Sequence, residues 1–169
     1  MRIKRLIRHL NFMPWQLRRA FPRRTQRAIA EAVAHAERQH GGEIRFVVEG
    51  ALSIAELWRD VSPRQRAIEV FSQLRVWDTE HNDGVLIYLL LADRAVEIVA
   101  DRGIARRVEQ AAWERVCRGM EALLRQGRFQ DAALQGIADV SALLAQHTPP
   151  RPEADKRNEL PDWPVVLRR

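Results

Sequence analysis

Between residues 77 and 84 the chain reads Trp-Asp-Thr-Glu-His-Asn-Asp-Gly, the densest run of potential metal ligands in the sequence. Hard cations such as calcium and magnesium take carboxylate, amide and carbonyl oxygens. Asp78, Asn82 and Asp83 offer such oxygens here, and Asp93 and Asp101 offer two more further along. A cation held by these five residues would sit in an all-oxygen site of the hard-cation type. Gathering them requires that the loop at 77–84 and the turns at 93 and 101 meet at one edge of the fold. The alternative is structural: Asp83 in an Asx-type turn, Asp93 setting a hairpin turn, and Asp101 capping the next helix. The alternating acids and terminal Glu of a calcium-binding hand are absent.

Other catalytic templates fail. The sequence has no Gly-x-Ser-x-Gly elbow, no phosphate-cradling glycine loop and no paired-histidine zinc helix. Its five histidines are scattered among polar neighbours and read as exposed, with His81 the best placed to ligate. Glu43 and Glu49 bracket one strand, which does not by itself make an acid/base pair. The single cysteine, Cys117, rules out an internal disulfide and reads as a small buried hydrophobe.

A second kind of chemistry belongs to the N-terminus. Net charge is +6, yet residues 1–24 hold eight Lys or Arg and no acid, leaving 20 basic against 22 acidic residues elsewhere. Within that arm Ile3, Leu6, Ile7 and Leu10 fall at the spacing of one helical face, opposite Lys4, Arg5 and Arg8, with Trp15 following. A helix of this kind can lie in an anionic lipid interface or bind a membrane-associated protein. It can equally pack its apolar side on its own domain. Nucleic acid fits less well, because the apolar face would be wasted on phosphates.

The elements that must position these groups follow from periodicity and breakers. Pro14 ends or bends the first helix, and Pro22 opens a second running to about Gln39, stopped by Gly41-Gly42. A strand spans Glu43 to Glu49, and Ser62-Pro63 caps a helix whose core side is Ala67, Ile68, Val70, Phe71 and Leu74. Strands at Val85 to Leu91 and Ala95 to Ala100 flank the polar break Ala92-Asp93-Arg94, the pattern of a hairpin. The first is apolar throughout and is expected in the middle of the sheet. Short helical material at Ile104 to Val108 precedes helices from about Ala111 to Arg125 and from Phe129 to His147. The order predicts a three-layer α/β/α sandwich with a small mixed sheet of about four strands. Residues 1–21 form the basic arm and 22–147 the α/β domain. With five prolines after Thr148, residues 148–169 are expected to be a flexible tail, within which Trp163 to Leu167 is an apolar island that either docks or does not. The longest apolar run, Val85 to Ala92, falls far short of the roughly 20 residues of a membrane-spanning helix. No signal-type apolar region follows the first charges, so the expected place is the cytoplasm, at the inner face of a membrane if the arm attaches there.

The stretch GVLIYLLLADRAVEIVADRGI, with Trp77-Asp78-Thr79 and Asn82 before it, resembles the core signature of the TPM domain family. The family's Asn-Gly-Val-Leu strand, Asp-Arg hairpin and closing glycine correspond to Asn82, Gly84, Val85, Leu86, Asp93, Arg94 and Gly103. Gly127-Arg128-Phe129 and Gly136-Ile137 are similar to its C-terminal half, and the resemblance spans about residues 24–147. Asp83 departs from the pattern as an insertion before Gly84. The resemblance, to a compact signal-less bacterial branch, implies a sandwich on a four-stranded sheet and sometimes bound calcium. It also implies one of two activities. Some relatives are accessory subunits of membrane complexes, and acid phosphatase activity is ascribed to a plant relative. The expected function is therefore a non-enzymatic accessory module working with a membrane-associated partner, and the alternative is a calcium- or magnesium-assisted phosphatase.

Overall fold

A computed structural model describes residues 3–150, 152 and 158–167. In chain order the elements are α1 (Ile3–Leu10), α2 (Pro14–Ala20), α3 (Arg23–Glu37), β1 (Glu43–Glu49), α4 (Ile54–Trp58) and α5 (Pro63–Gln73). They continue with β2 (Gly84–Leu90), β3 (Ala95–Ala100), α6 (Arg102–Ala105), α7 (Gln110–Arg125), α8 (Phe129–His147) and β4 (Val165–Leu167).

The sheet order is β3-β2-β1-β4. β2 runs parallel to β1 and antiparallel to β3, and β4 runs parallel to β1 on the other edge. Strand alternation divides the core. Ile44, Phe46, Val48, Val85, Ile87 and Leu89 face a layer built on α3, α7 and α8. Val47, Leu86, Tyr88 and Leu90 face the layer that holds Leu57, Ala67 and Val70 of α4 and α5. This is the expected three-layer sandwich with a mixed four-stranded sheet. β2 is buried at every position, because helices cover both its faces.

Local chemistry fixes the crossover between β1 and β2. Ser62 caps α5 by accepting from the Gln65 N–H, with Pro63 in the first turn, as the sequence indicates. Ile68 is a correction: it lies outside the core, while Ala67 and Val70 fill it. Ser53 and Glu56 form a second capping box that starts α4, a helix too short for hydrophobic periodicity to reveal. Residues 14–20 likewise form a separate helix where the sequence suggested an end or a bend.

The expectation of a flexible tail fails for residues 158–167. Val165, Val166 and Leu167 pair with Val47, Val48 and Glu49 and complete the sheet. The Arg45 guanidinium donates to the carbonyls of Pro161 and Trp163, the latter at 2.9 Å. The Leu160 N–H donates to Glu43 Oε2 at 3.1 Å, and the Leu160 side chain is buried. A polar side chain on the buried strand β1 thus finds its partners in the backbone of a distant segment, which local composition cannot foretell.

Candidate functional site

The two ends of the central hairpin place the predicted residues in two separate groups. β2 is seven residues long. At about 3.3 Å per residue its ends lie roughly 20 Å apart. Asp93 sits at the turn and cannot share an ion with Asp83 and Asp101 at the opposite end. The five-ligand cluster is therefore not assembled, and no group of three or more His, Cys, Asp or Glu placed to hold a metal occurs among the described residues.

At the turn end Asp93 organises the basic arm. Its Oδ2 accepts from Arg5 Nε at 2.8 Å, and its Oδ1 lies 3.0 Å from both Arg8 Nη2 and His9 Nε2. Arg5 Nη2 also donates to the Val61 carbonyl at 2.9 Å. The Leu52 N–H donates to His9 Nδ1 at 2.9 Å, so the ring proton belongs on Nε2, facing Asp93. Burial of Asp93 works against its charge, but hydrogen bonds from His9 and Arg5 outweigh it and hold the carboxyl below the usual aspartate value. His9 is thus a buried structural histidine, which corrects the expectation that the histidines are exposed; His40 is buried too.

This clasp decides which side of α1 meets solvent. Arg5 and His9 turn inward, and Leu6 packs against the layer beneath α5. Ile3, Ile7 and Leu10 are left outside, Ile3 at 69% exposure, and Met13 and Trp15 of the following segment are exposed as well. Lys4 and Arg8 flank them, with Arg18 and Arg19 exposed on α2. Of the residues expected to attach the domain to a surface, Ile3, Lys4, Ile7, Arg8, Leu10 and Trp15 are accessible, whereas Arg5 and Leu6 are engaged with the domain itself.

At the other end lie Asp83 and Asp101, both buried. The Asp101 N–H donates to the Gly84 carbonyl at 2.8 Å, which sets Asp101 across from the segment bearing Asp83. Asp101 Oδ1 caps α6 through the Arg102 N–H at 2.7 Å, while its Oδ2 is buried with no hydrogen-bond partner. Asn82 has φ +54°. Its carbonyl accepts from the Gly103 N–H at 3.0 Å, and its Oδ1 accepts from Arg102 Nε at 3.2 Å. Two glycines permit this approach: a Cβ on Gly103 would sit 2.4 Å from the Asn82 carbonyl oxygen, and one on Gly84 would sit 2.0 Å from that of Val76. Asp78 is exposed, and Asp83 is buried beside Thr79, whose Oγ1 accepts from the Asp83 N–H.

Two further acids border the same end, Glu37 and the Glu43 that opens β1. Burial pushes the Glu37 carboxyl up to about 9, with help from the charge of Glu43. Burial likewise pushes Glu43 up to about 7, against hydrogen bonds from the backbone of Leu160 and Glu159 and with repulsion from Glu159 and Asp83. Glu37 ends α3 and Glu43 begins β1, so the Gly41-Gly42 turn between them was the available signal. Cys117 is half-buried, and burial raises its thiol to about 12, which suits packing and not reactivity.

The TPM domain profile matches residues 18–143. The chain belongs to the TPM domain family. The matched segment takes in all the elements from α3 through α7 and most of α8, so both ends of the hairpin lie within the TPM domain. Its fold is similar to the solution structure of the BA42 protein from the psychrophilic bacterium Bizionia argentinensis, at 28% identity and TM-score 0.73, covering 85% of this chain and 93% of that one. It is also similar to the N-terminal domain of a protein from P. gingivalis, at 19% identity and TM-score 0.55, covering 70% and 74%. None of the curated proteins matches the sequence. No helix among the described residues is long and apolar enough to cross a membrane.

Proposed function

We propose that this TPM domain is a non-enzymatic accessory module that attaches to an anionic membrane surface through α1 and α2. The observation that carries this function is the orientation of α1. Three of its four polar side chains near the domain bind Asp93 or the backbone, and the apolar residues Ile3, Ile7 and Leu10 face out. A helix serving only to close the core would bury that stripe instead. Trp15 and the flanking Lys4, Arg18 and Arg19 are the groups that suit a lipid interface and its negative charge. The same clasp lays α1 along residues 52–61, where α4 leaves Ile54 and Trp58 exposed, Trp58 at 70%.

Cosedimentation with phosphatidylcholine vesicles containing phosphatidylglycerol tests the attachment. The wild-type chain should bind, binding should weaken with added salt, and Ile7→Asp or Trp15→Ser should abolish it. Both residues are exposed, so neither change should disturb folding. Equal sedimentation of all three proteins would end the attachment role.

A second function, phosphate-ester hydrolysis assisted by calcium or magnesium, draws on the unpartnered Asp101 Oδ2 and its neighbour Asp83. A buried carboxylate oxygen without a donor suits a hard cation. Asp83 and Asp101 would hold the ion, which would polarise a phosphoryl oxygen. The exposed apolar stripe of α1 and its flanking cations involve more residues than the single unpartnered carboxylate oxygen, which leaves the accessory role the better supported.

A further inference from the structure

The groove between the basic arm and the hairpin turn contains a cavity of about 470 Å³, a size typical of small-ligand sites. Its rim is polar and cationic: Arg8, Asn11, Gln16 and Arg94. Its floor is apolar, with Phe12 and Phe129 among its residues, and no Asp or Glu lines it. The donors are available. Arg8 gives Asp93 one Nη and keeps its other N–H groups. Gln16 Oε1 accepts from the Met13 N–H, so its amide nitrogen is left to donate. The Arg94 side chain makes no hydrogen bond or ion pair within the described residues and is exposed. Arg94 also holds φ +52°, a left-handed conformation that costs a non-glycine residue about 1 kcal/mol or more and that glycine would adopt freely. Around this turn three guanidinium groups, of Arg5, Arg8 and Arg94, outnumber two carboxylates, Asp93 and the Asp60 that lies 3.8 Å from Arg5.

We infer that this cavity binds a phosphate-bearing amphiphile. The phosphate would lie against Arg94, Arg8 and the Asn11 and Gln16 amides, and the apolar part on the phenylalanine floor. Guanidinium groups and amides match phosphate oxygens, and a floor of aromatic rings matches an acyl or similar apolar substituent. The place is apt as well: the arm that carries the exposed Ile7, Leu10 and Trp15 also supplies Arg8, Asn11, Phe12, Gln16 and Ala20 to the lining. The inference deepens the membrane-attachment function, giving it a headgroup site, but its chemistry also admits a soluble phosphate ester.

The test is an amide-resolved NMR titration of the full chain with monomeric dihexanoylphosphatidylglycerol, with glycerol 1-phosphate and with dihexanoylphosphatidylcholine. Shifts should gather at Asn11, Phe12, Gln16 and residues 91–94. Arg94→Gly, which suits the local φ and should fold at least as well, should weaken binding about tenfold, the loss expected for one charge-assisted hydrogen-bonding group. Asn11→Asp, at an exposed position, should weaken it further by placing a like charge on the rim. Binding of the phosphatidylglycerol probe alone assigns the site to a lipid, and comparable binding of glycerol 1-phosphate assigns it to a soluble ester. No shifts at these residues, or affinities unchanged in both variants, overturn the inference. The vesicle assay separates the two proposals. Loss of vesicle binding with an intact soluble-probe site removes the attachment role alone, and vesicle binding with a silent cavity removes the site alone.

Discussion

The two ends of the sheet carry similar acids in opposite surroundings. At the turn end every buried carboxylate meets a guanidinium. Asp93 meets Arg5 and Arg8, and Glu49 accepts from Arg66 at 2.9 and 3.1 Å while also accepting from the Tyr88 hydroxyl at 2.7 Å. At the loop end Glu37, Glu43 and Asp101 accept backbone N–H groups instead, from Ile44, Leu160 and Arg102. Burial without a cation raises Glu37 and Glu43, whereas Asp93 is lowered. One end is thereby a fixed anchor across the neutral range, and the other responds to protons. The role of an aspartate in a tight turn is set by which chain segment arrives to meet it, not by the turn.

The sharpest break in that contrast is Arg66→Ala. It strips Glu49 of its guanidinium and also removes the contacts at 3.3 Å to Glu56 and 3.1 Å to Glu69. Removing one partner of a buried pair costs about 3–5 kcal/mol, so urea unfolding should show a loss of that order. Arg66→Met with Glu49→Leu, which removes both charges, should recover much of it, although the Tyr88 hydroxyl then loses its acceptor. If Arg66→Ala were harmless, the turn end would not depend on its ion pairs.

Asp93→Ala should act next. It costs about 1–3 kcal/mol through the unpaired Arg5 and His9 and frees α1, so trypsin should cut after Lys4 and Arg8 far sooner than in wild type. The body of the domain, whose core lies in other contacts, should survive that cut. Because Asp93 is lowered from the ordinary 3.8, its contribution is present above that value and fades only as pH falls through the still lower folded value. The clasp should hold from pH 5 to 9.

The loop end should behave differently over the same range. Glu43 ionises near 4.5 in the unfolded chain and at about 7 in the fold, and Glu37 at about 9. Their protonated forms therefore stabilise the fold below 4.5, and that stability is lost as pH rises through about 7 and then about 9. Melting temperature should fall from pH 5 to 9. Glu43→Gln and Glu37→Gln keep an oxygen for the Leu160 and Ile44 N–H groups and should flatten the decline. A decline unchanged in both variants would place the titration elsewhere.

What the sequence disclosed follows the range of each interaction. β1, β3 and α8 were legible to the residue, because period, glycines and caps act within a few positions. The strand β4 was not, since the three residues Val165–Leu167 carry too little pattern to outweigh the prolines before them. The site residues divided in the same way. Asp101 as a cap was readable from its place before a helix. Asp93 as the clasp of an arm 84–88 residues earlier was not, and neither was the inward turn of Arg5, because hydrophobic spacing alone put the basic side of α1 in solvent. Glu37 and Glu43 required knowing that residues 158–162 return to cover them.

The smallest expected effect separates a cap from a cation site at the loop end. Asn is as good a cap as Asp, so Asp101→Asn should change stability by about 0.5 kcal/mol or less without added metal. A site with two carboxylates belongs among weak calcium sites, with dissociation constants of roughly 0.1–1 mM. If Asp83 and Asp101 hold calcium, 10 mM of the ion should stabilise the wild-type chain by about 1–3 kcal/mol, by mass action. Asp101→Asn should lose that gain, while Asp93→Asn, at the far end of the hairpin, should keep it in full. Calcium that stabilises all three proteins alike would act by general screening, and calcium that stabilises none would leave Asp101 a cap and Asp83 a turn residue. Either result would withdraw the metal-assisted function and leave the exposed face of α1 as the functional surface of the domain.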